Sequence, residues 1–554
     1  MITEYINDIK REFNGYGKTG LSKDLMAGLT VAAVALPLAL AFGVSSGATA
    51  ASGLITAIIA GLLIGALSGA SFQISGPTGA MTAILILLVS KHGLNGMFIA
   101  TFLAGLMLIL AGVLKLGRII SYIPSSVITG FTSGIAVIIA LGQLDNLFGV
   151  SSKGDHALVK LMSYATDGFH PHLPTLAIGL FVVAVMALWP ARWNATFPSS
   201  LASLILVLIL NRFLQLDTPL VGAIPKTLFL ADRLTLASLS PGDFGTFMMP
   251  ALSIAALAMI ESLLCGAAAG KMKNEVLSAD RELVAQGIGN VVIPFFGGVP
   301  ATAAIARTSV VIKSGGVTRL AGIIHSVVLL LSMFLLAPVM SAIPLSALSG
   351  VLIVTAWRMN DWENIRFIFG HRFKSGIAKF AVTLCATVVL DLTQAIVAGV
   401  LFSTVLFVAR LTDLDVDIRE VDRKRLEEIG IHLTDDPCHI RVAYLTGTIF
   451  FASVDKLKAQ LSDLDRASVL ILSMRGVPVI DLSGIQALNE LIRELQQSGT
   501  TVLLTSVQPK VMANLIRGGI GELIDERCVF SSAEHAIVYA HEQHPDCIEP
   551  EAAI

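Results

Sequence analysis

The sequence predicts a polytopic, all-α membrane domain followed by a small soluble α/β domain. Three observations carry that prediction. The chain has 554 residues, 54% of them hydrophobic and only 14% charged, with a mean hydropathy of +0.78; soluble domains carry roughly 25% charged residues. Apolar runs of the kind that need about 20 residues to cross a bilayer recur from Asp24 to Leu411. Beyond Arg410 the composition turns polar, and short apolar strands begin to alternate with amphipathic helical patterns.

The apolar runs include 25–44, 97–114, 176–188, 201–210, 320–337 and 382–408. Short polar or Gly/Pro breaks separate them, without the period-two alternation of a transmembrane β-barrel, which excludes that class. About fourteen spans fit the pattern. The first 20 residues are charged and lack an apolar core, so no cleaved signal peptide is expected. Lys10, Arg11, Lys18 and Lys23 precede the first span and place residues 1–23 in the cytoplasm. Further basic residues mark alternate loops: Lys115 and Arg118, then Lys271, Lys273 and Arg281, then Arg366, Arg372 and Lys374. Arg410 after the last span puts the C-terminus on the same side, so the span number is even. The expected location is the inner cell membrane.

The domain boundaries read as a membrane domain over 24–411, a linker over 412–437, a soluble domain over 438–542 and a tail over 543–554. The stretch DLDVDIREVDRKRLEEIG reads as a solvated linker with some helix. In the soluble part, 440–451, 469–472 and 501–504 read as strands, and 453–464, 484–497 and 511–518 as helices. Strands alternating with helices imply a small sheet faced by helices. The net charge of −2 says nothing about partners. Cys265, Cys385, Cys438, Cys528 and Cys547 form no CxxC or metal spacing, and a reducing cytoplasm suits the last three. No metal, cofactor or nucleic-acid partner is expected. No GxxxxGK[ST] loop appears, so ATP-driven transport is not supported, and nothing suggests enzyme catalysis.

Two stretches are wrong for ordinary spans: ISGPTGAMTAILILL at 74–88 and FGGVPATAAIARTSV at 296–310. Gly76-Pro77-Thr78-Gly79-Ala80 lies over Val299-Pro300-Ala301-Thr302-Ala303 at an offset of 223 (300 − 77), and the same offset lays 28–43 over 251–266. Similar segments at equal spacing in two halves are the pattern of a repeat-built transporter. Proline suits the first turn of a helix, and small residues leave backbone N–H groups uncovered. Two half-helices starting inside the membrane and meeting tip to tip would form an anion site from N–H groups and dipole ends alone. The bland alternative is that these are kinks and packing points in long helices.

Arg307 falls inside the second stretch. A lipid-facing arginine costs at least ~2.5 kcal/mol, so it faces a cavity or a partner. It is either half of a structural ion pair or added positive charge for the anion. The best candidate partner is Glu261 in IAALAMIESLLCGAAAG; so deep in an apolar run it must be protonated, paired or cavity-facing. Asp391 reads as structural, Lys313 and Arg319 as snorkelling at the cytoplasmic surface. His325 in AGIIHSVVLL fits a packed core histidine better than a relay.

DLMAGLTVAAVALPLALAFGVSSG, ISGPTGAMTA, IPSSVITGFTSGIAV, ELVAQGIGN and FFGGVPATAAIART together resemble the sulfate permease (SulP) family of anion transporters, bacterial relatives of the animal solute-carrier anion exchangers. The resemblance covers essentially the whole chain. It implies two inverted repeats of seven segments, a core and a gate domain, and a cytoplasmic STAS domain over 438–542. It also implies a substrate site at Thr78, Gly79 and Ala80 with Ala301, Thr302 and Ala303. Arg307 matches the segment-10 arginine of animal and plant members; Leu38 after Pro37 departs from their glutamine. Sodium-coupled bicarbonate members carry an aspartate and a threonine in segment 8 and a threonine in segment 10. Here Glu261, Cys265 and Ile305 stand instead. A hard cation wants oxygen ligands, so sodium coupling is not expected. The lone Glu261 resembles the proton-coupled branch, including the dicarboxylate transporter of enteric bacteria.

In STAS domains of anti-sigma-factor antagonists the loop before the helix is Asp-Ser-Ser-Gly and is phosphorylated, which makes Asp481 and Ser483 candidate regulatory residues. Here it is Asp481-Leu482-Ser483-Gly484, where Ser483 is expected to cap the helix. The resulting expectation is a secondary active transporter of sulfate or a four-carbon dicarboxylate. It would work as a proton symporter with an elevator movement, as a homodimer with a possible protein partner for the STAS domain. The alternatives are a sodium-independent bicarbonate/chloride exchanger, a nucleobase transporter of the same architecture, and a STAS-linked membrane sensor.

Overall fold

The computed structural model describes residues 2–543 except 119–122, 153–156, 168, 195–196, 239–240, 391, 413, 422, 429–439 and 463–467. Asp391, Cys438 and Cys547 lie outside the described residues. The chain forms two compact units, Met1–Leu401 and Phe402–Ile554.

The first unit is helical. A short amphipathic helix α1 (Ile2–Glu12) leads into α2 (Lys18–Ser45) and α3 (Ala50–Leu67), whose start is capped by Thr49 accepting from Ser52 N at 3.1 Å. A two-residue strand β1 (Ser75–Gly76) precedes α4 (Gly79–Val113). Gly93, at φ 67°, breaks α4 into two helices. Then come α5 (Ser125–Gly142), α6 (Leu173–Leu188) and α7 (Ser199–Leu214). The second half repeats the order: α8 (Pro241–Lys273), α9 (Ala279–Val292), strand β2 (Thr302–Ala303), α10 (Ile305–Lys313), α11 (Leu320–Leu335), α12 (Leu345–Met359), α13 (Lys374–Val389) and α14 (Leu392–Leu411).

Among the described residues, five helices are long and apolar enough to cross a membrane, and five shorter apolar helices accompany them. Helices α9 and α10, with 14 and 9 residues, fall short of that measure, so ten such helices stand beside the about fourteen spans read from sequence. The packing is reciprocal. Helix α11 of the second half packs on α2 and α3 of the first, and α4 packs on α8 and α9. The fourth helix of each half thus lies on the first two of the other, as two interlocked inverted repeats require. Helix α5 packs on α13 and α6 on α12, forming a second bundle.

Arg319 does not snorkel. It is 6% exposed, pairs with Glu12 at 2.8 Å and donates to Ala66 O at 2.7 Å. The carboxylate of α1 and the carbonyl end of α3 satisfy it, so it has no need of water. Lys313 is exposed, as expected.

The second unit carries a five-stranded sheet in the order β3 (Asp415–Glu420), β4 (Ile440–Thr446), β5 (Val469–Gly476), β6 (Thr501–Thr505), β7 (Val529–Phe530). The β3–β4 pair is antiparallel and the others parallel. Leu470, Leu472, Val502 and Leu504 face α15 (Val454–Ser462), α16 (Leu482–Gln497) and α17 (Pro509–Arg517). Val469, Ile471 and Leu503 face α18 (Ala533–Gln543) on the other side. Strand β3 corrects the linker reading of 412–437. Its sequence DVDIRE looks solvated because it is an edge strand, where charges discourage pairing with other chains. Val416 and Ile418 still pack on the core.

Candidate functional site

The two hinges predicted as half-helix starts meet in the interior. Strands β1 and β2 pair antiparallel, Ser75 opposite Ala303 and Gly76 opposite Thr302. Helix α4 leaves β1 and α10 leaves β2. Helices that begin at mid-chain breaks of this kind are tolerated in a membrane only inside protein or around a cavity.

The register differs from the one read from sequence. Exchange of the two strands by their local two-fold equates Ser75 with Thr302, an offset of 227 (302 − 75), and the helices start 226 apart (305 − 79). Neither proline occupies a first helical turn. Pro77 precedes the N-cap Thr78, and Pro300 lies five residues before Ile305. Gly79 and Ala80 do form the first turn of α4. Ala301, Thr302 and Ala303 are extended instead. The physical reason is Asn290, whose amide accepts from Ala301 N at 2.8 Å and donates to Ala301 O at 2.9 Å. These two hydrogen bonds substitute for a strand partner and delay the helix.

Neither tip has a side-chain cap. Thr78 is the N-cap of α4, yet its hydroxyl donates to Glu261 Oε2 at 2.9 Å. Ala304 is the N-cap of α10 and has no hydroxyl to offer. Both tips therefore keep their positive dipole ends without an internal cap. Ile305 is 44% exposed and Ala306 is exposed, so the second tip opens outward. Thr302 is fully buried, 2.8 Å from Ser262 Oγ.

Arg307 is the third residue of α10 and 1% exposed. Its Nη2 donates to Pro77 O at 2.6 Å, across to the other repeat. A methyl group built on Gly76 would lie 2.4 Å from Nη1, so only glycine lets the guanidinium lie there. Of the two readings of Arg307, the Arg307–Glu261 ion pair is not formed among the described residues. Each group takes a different partner, because Arg307 reaches the hinge backbone while Glu261 reaches Thr78. Glu261 retains some exposure while its neighbours Ser262 and Leu263 are buried. Cys265 Sγ donates to Thr308 Oγ1 at 3.4 Å, and Thr308 Oγ1 accepts from Ile74 N at 3.0 Å.

Sequence reasoning missed the ladder that holds the hinge. Glu282, Gln286 and Asn290 stand four apart on α9 and are all fully buried. Glu282 accepts from Ser68 Oγ at 2.6 Å and Gly69 N at 2.9 Å, and Gln286 Nε2 donates to Glu282 at 2.8 Å and to Ser75 Oγ at 2.7 Å. Polar residues at i, i+4 and i+8 in an apolar helix were the available signal.

In the soluble unit, Asp481 caps α16, accepting from Gly484 N at 2.8 Å, and its other oxygen accepts from Phe451 N at 3.2 Å. Ser483 lies inside the first turn and is not the cap, because the aspartate one position before the helix takes that role first.

Residues 21–383 match the Sulfate permease family and residues 434–536 match the STAS domain. A putative sulfate transporter of Bacillus subtilis, YvdB, is 32% identical over 94% of this chain and 97% of its own. The bicarbonate transporter BicA of Picosynechococcus is 29% identical over 85% and 86%. The transmembrane domain of a cyanobacterial BicA superposes with a TM-score of 0.62 at 32% identity, covering 70% of this chain and 98% of that one. SLC26A9 superposes at 0.81 and 18% identity over 96% and 92%, a likeness of fold. The resemblance to a dicarboxylate branch is not shown by these relatives, which are described as sulfate and bicarbonate transporters. A family match over most of the membrane unit, a second over the sheet domain, and a relative aligned nearly end to end together make this chain a member of the sulfate permease family of anion transporters, with a C-terminal STAS domain.

Proposed function

We propose that this chain is a proton-coupled symporter of a small oxyanion, bound between the tips of α4 and α10 and carried by an elevator movement of the α2–α4 and α8–α11 bundle. Sulfate and bicarbonate are the favoured substrates, since relatives aligned over most of the chain bear those descriptions. In this reading the anion contacts Thr78, Gly79 and Ala80 on one side. On the other it meets the start of α10, in place of Ala301, Thr302 and Ala303. The protein works as a homodimer in the inner membrane with its STAS domain in the cytoplasm. Asp481 and Ser483, at a helix start in that domain, are its candidate regulatory residues, and a cytoplasmic protein partner would act on the STAS domain.

The observation that carries the reading is the Thr78–Glu261 hydrogen bond. A carboxylate at the α4 tip occupies the positive dipole end that an anion needs. Protonation of Glu261 removes its negative charge and frees the tip, so proton and anion load together. External acid therefore speeds uptake. Sodium has no role, because Cys265 and Ile305 offer no hard oxygen ligands.

The test is uptake into proteoliposomes, with sulfate, bicarbonate, succinate, fumarate and chloride competing in turn. The wild type should concentrate sulfate or bicarbonate on an inward proton gradient and not on a sodium gradient. Glu261→Gln keeps an acceptor for Thr78 but cannot cycle a proton. It should exchange anion yet lose acid-driven accumulation. Sodium-driven accumulation, or a Glu261→Gln protein that still concentrates anion on the proton gradient, would overturn the mechanism.

A further inference from the structure

His325, on α11, is fully buried, and neither ring nitrogen has a hydrogen-bond partner among the described residues. The same is true of Nη1 of Arg307, whose Nη2 is fixed on Pro77 O. Unpaired polar atoms at membrane depth cost several kcal/mol each in order of magnitude. Two such groups close together therefore mark a built site.

They are close together by way of α3. A methyl group on Gly76 would touch Arg307 Nη1 at 2.4 Å and Ala57 Cα at 3.4 Å. A methyl group on Gly61 would lie 3.3 Å from His325 Nδ1. Ala57 and Gly61 are four residues apart on α3, so the guanidinium and the imidazole lie near successive turns of that helix. No direct hydrogen bond joins them, and a bridging water would satisfy both. The chemistry is complementary. Nη1 can only donate, whereas a neutral imidazole offers one acceptor and one donor. A side chain at Gly61 would collide with Ser326 Oγ and one at Gly76 with Arg307 Nη1, so only glycine lets these groups approach α3 and the hinge.

We propose that His325 is a positioning residue for Arg307, acting through water held between the imidazole and Nη1. Arg307 then has both edges fixed, one on the Pro77 carbonyl and one through water on His325. The guanidinium plane is locked between the two helix tips, and the anion meets a charge of fixed direction. This inference rests on the anion-site reading above. Loss of the bridge lets the guanidinium turn, which weakens anion binding and leaves the rate of the loaded carrier unchanged.

The experiment compares His325→Leu, which fills the space without nitrogen, with His325→Asn, which keeps a donor and an acceptor. Radiolabelled sulfate and, separately, bicarbonate are the probes in proteoliposomes. His325→Leu should raise KM roughly tenfold, the loss of one hydrogen bond to a charged group, with the maximal rate within about twofold. His325→Asn should recover most of that loss. A packing role gives the reverse order, with Leu tolerated and Asn impaired, and that result overturns the proposal. A second readout needs no transport. Melting temperatures of Arg307→Gln, His325→Leu and the double variant should be non-additive, the double falling no further than the worse single. Additive losses overturn the bridge. If the wild type carries neither probe, the anion reading fails while the melting cycle still decides the His325–Arg307 link.

Discussion

The tip of α4 and the tip of α10 occupy equivalent places in two repeats, yet they carry different chemistry. The first is buried and bears a hydroxyl on a carboxyl, Thr78 on Glu261. The second is open at Ile305 and Ala306, bears no hydroxyl at its N-cap, and sends Arg307 across to the first hinge at Pro77 O. Repetition supplied two dipole ends; divergence gave one a proton-accepting group and the other a permanent cation. A symmetric pair of tips would bind an anion without distinguishing a protonated from an unprotonated state. In the proposed mechanism this asymmetry is what would couple proton to anion.

The largest expected effect comes from placing the same bulk at two places four residues apart. Ala306→Trp projects from an exposed first turn, so it should abolish uptake of sulfate and bicarbonate with a nearly unchanged melting temperature. Thr302→Trp enters a fully buried hinge beside Ser262. It should lose uptake by unfolding, with a melting drop of many degrees, since overpacking a filled interior costs ~1–3 kcal/mol or more. Normal transport by a stable Ala306→Trp protein would remove the α10 tip from the site.

Arg307→Gln ranks next. It removes the charge beside both tips, each of which supplies only about half an elementary charge, and its shorter amide withdraws from Pro77 O. Anion KM should rise roughly 10- to 100-fold, in line with ~1.5–3 kcal/mol for a charged hydrogen bond. Melting should fall by only a few degrees. Unchanged KM with a large melting loss would make the arginine a strut between hinges and nothing more.

Composition alone made the membrane unit legible, because apolar runs must become helices when the backbone has no water to bond. The repeat was also legible, through its Gly-Pro-small-residue marks. Its register was not. Proline is the most visible mark, but the helix starts are set by β1–β2 pairing and by the Asn290 clamp on Ala301, both long-range contacts. Arg307 and Glu261 stood out as charges in apolar runs, while their actual partners, Pro77 O and Thr78, are a backbone atom and a common hydroxyl that no sequence pattern marks. Strand β3 was hidden for the opposite reason. Its charges point outward from an edge, and only Val416 and Ile418 report the sheet.

The smallest effect tests whether the open tip itself binds anion. Ala304 has φ −115° and ψ 115°, an extended N-cap geometry, and its own N–H is held by Ile74 O at 3.0 Å. A serine fits there without strain, and its hydroxyl would accept from the N–H of Ala306 or Arg307. Capping alone should raise melting by a degree or so, from about 0.5–1 kcal/mol of helix stability. If the anion uses those same N–H groups, the new hydroxyl competes with it. Ala304→Ser should then raise KM a few-fold while stabilising the protein, two changes that rarely come together from one surface substitution. Thr78 gives the internal control. It already has a hydroxyl at the N-cap of α4 but spends it on Glu261, so Thr78→Ser should leave both KM and melting nearly unchanged. A stabilised Ala304→Ser protein with unaltered KM would place the anion on the α4 tip alone and reduce α10 to the carrier of Arg307.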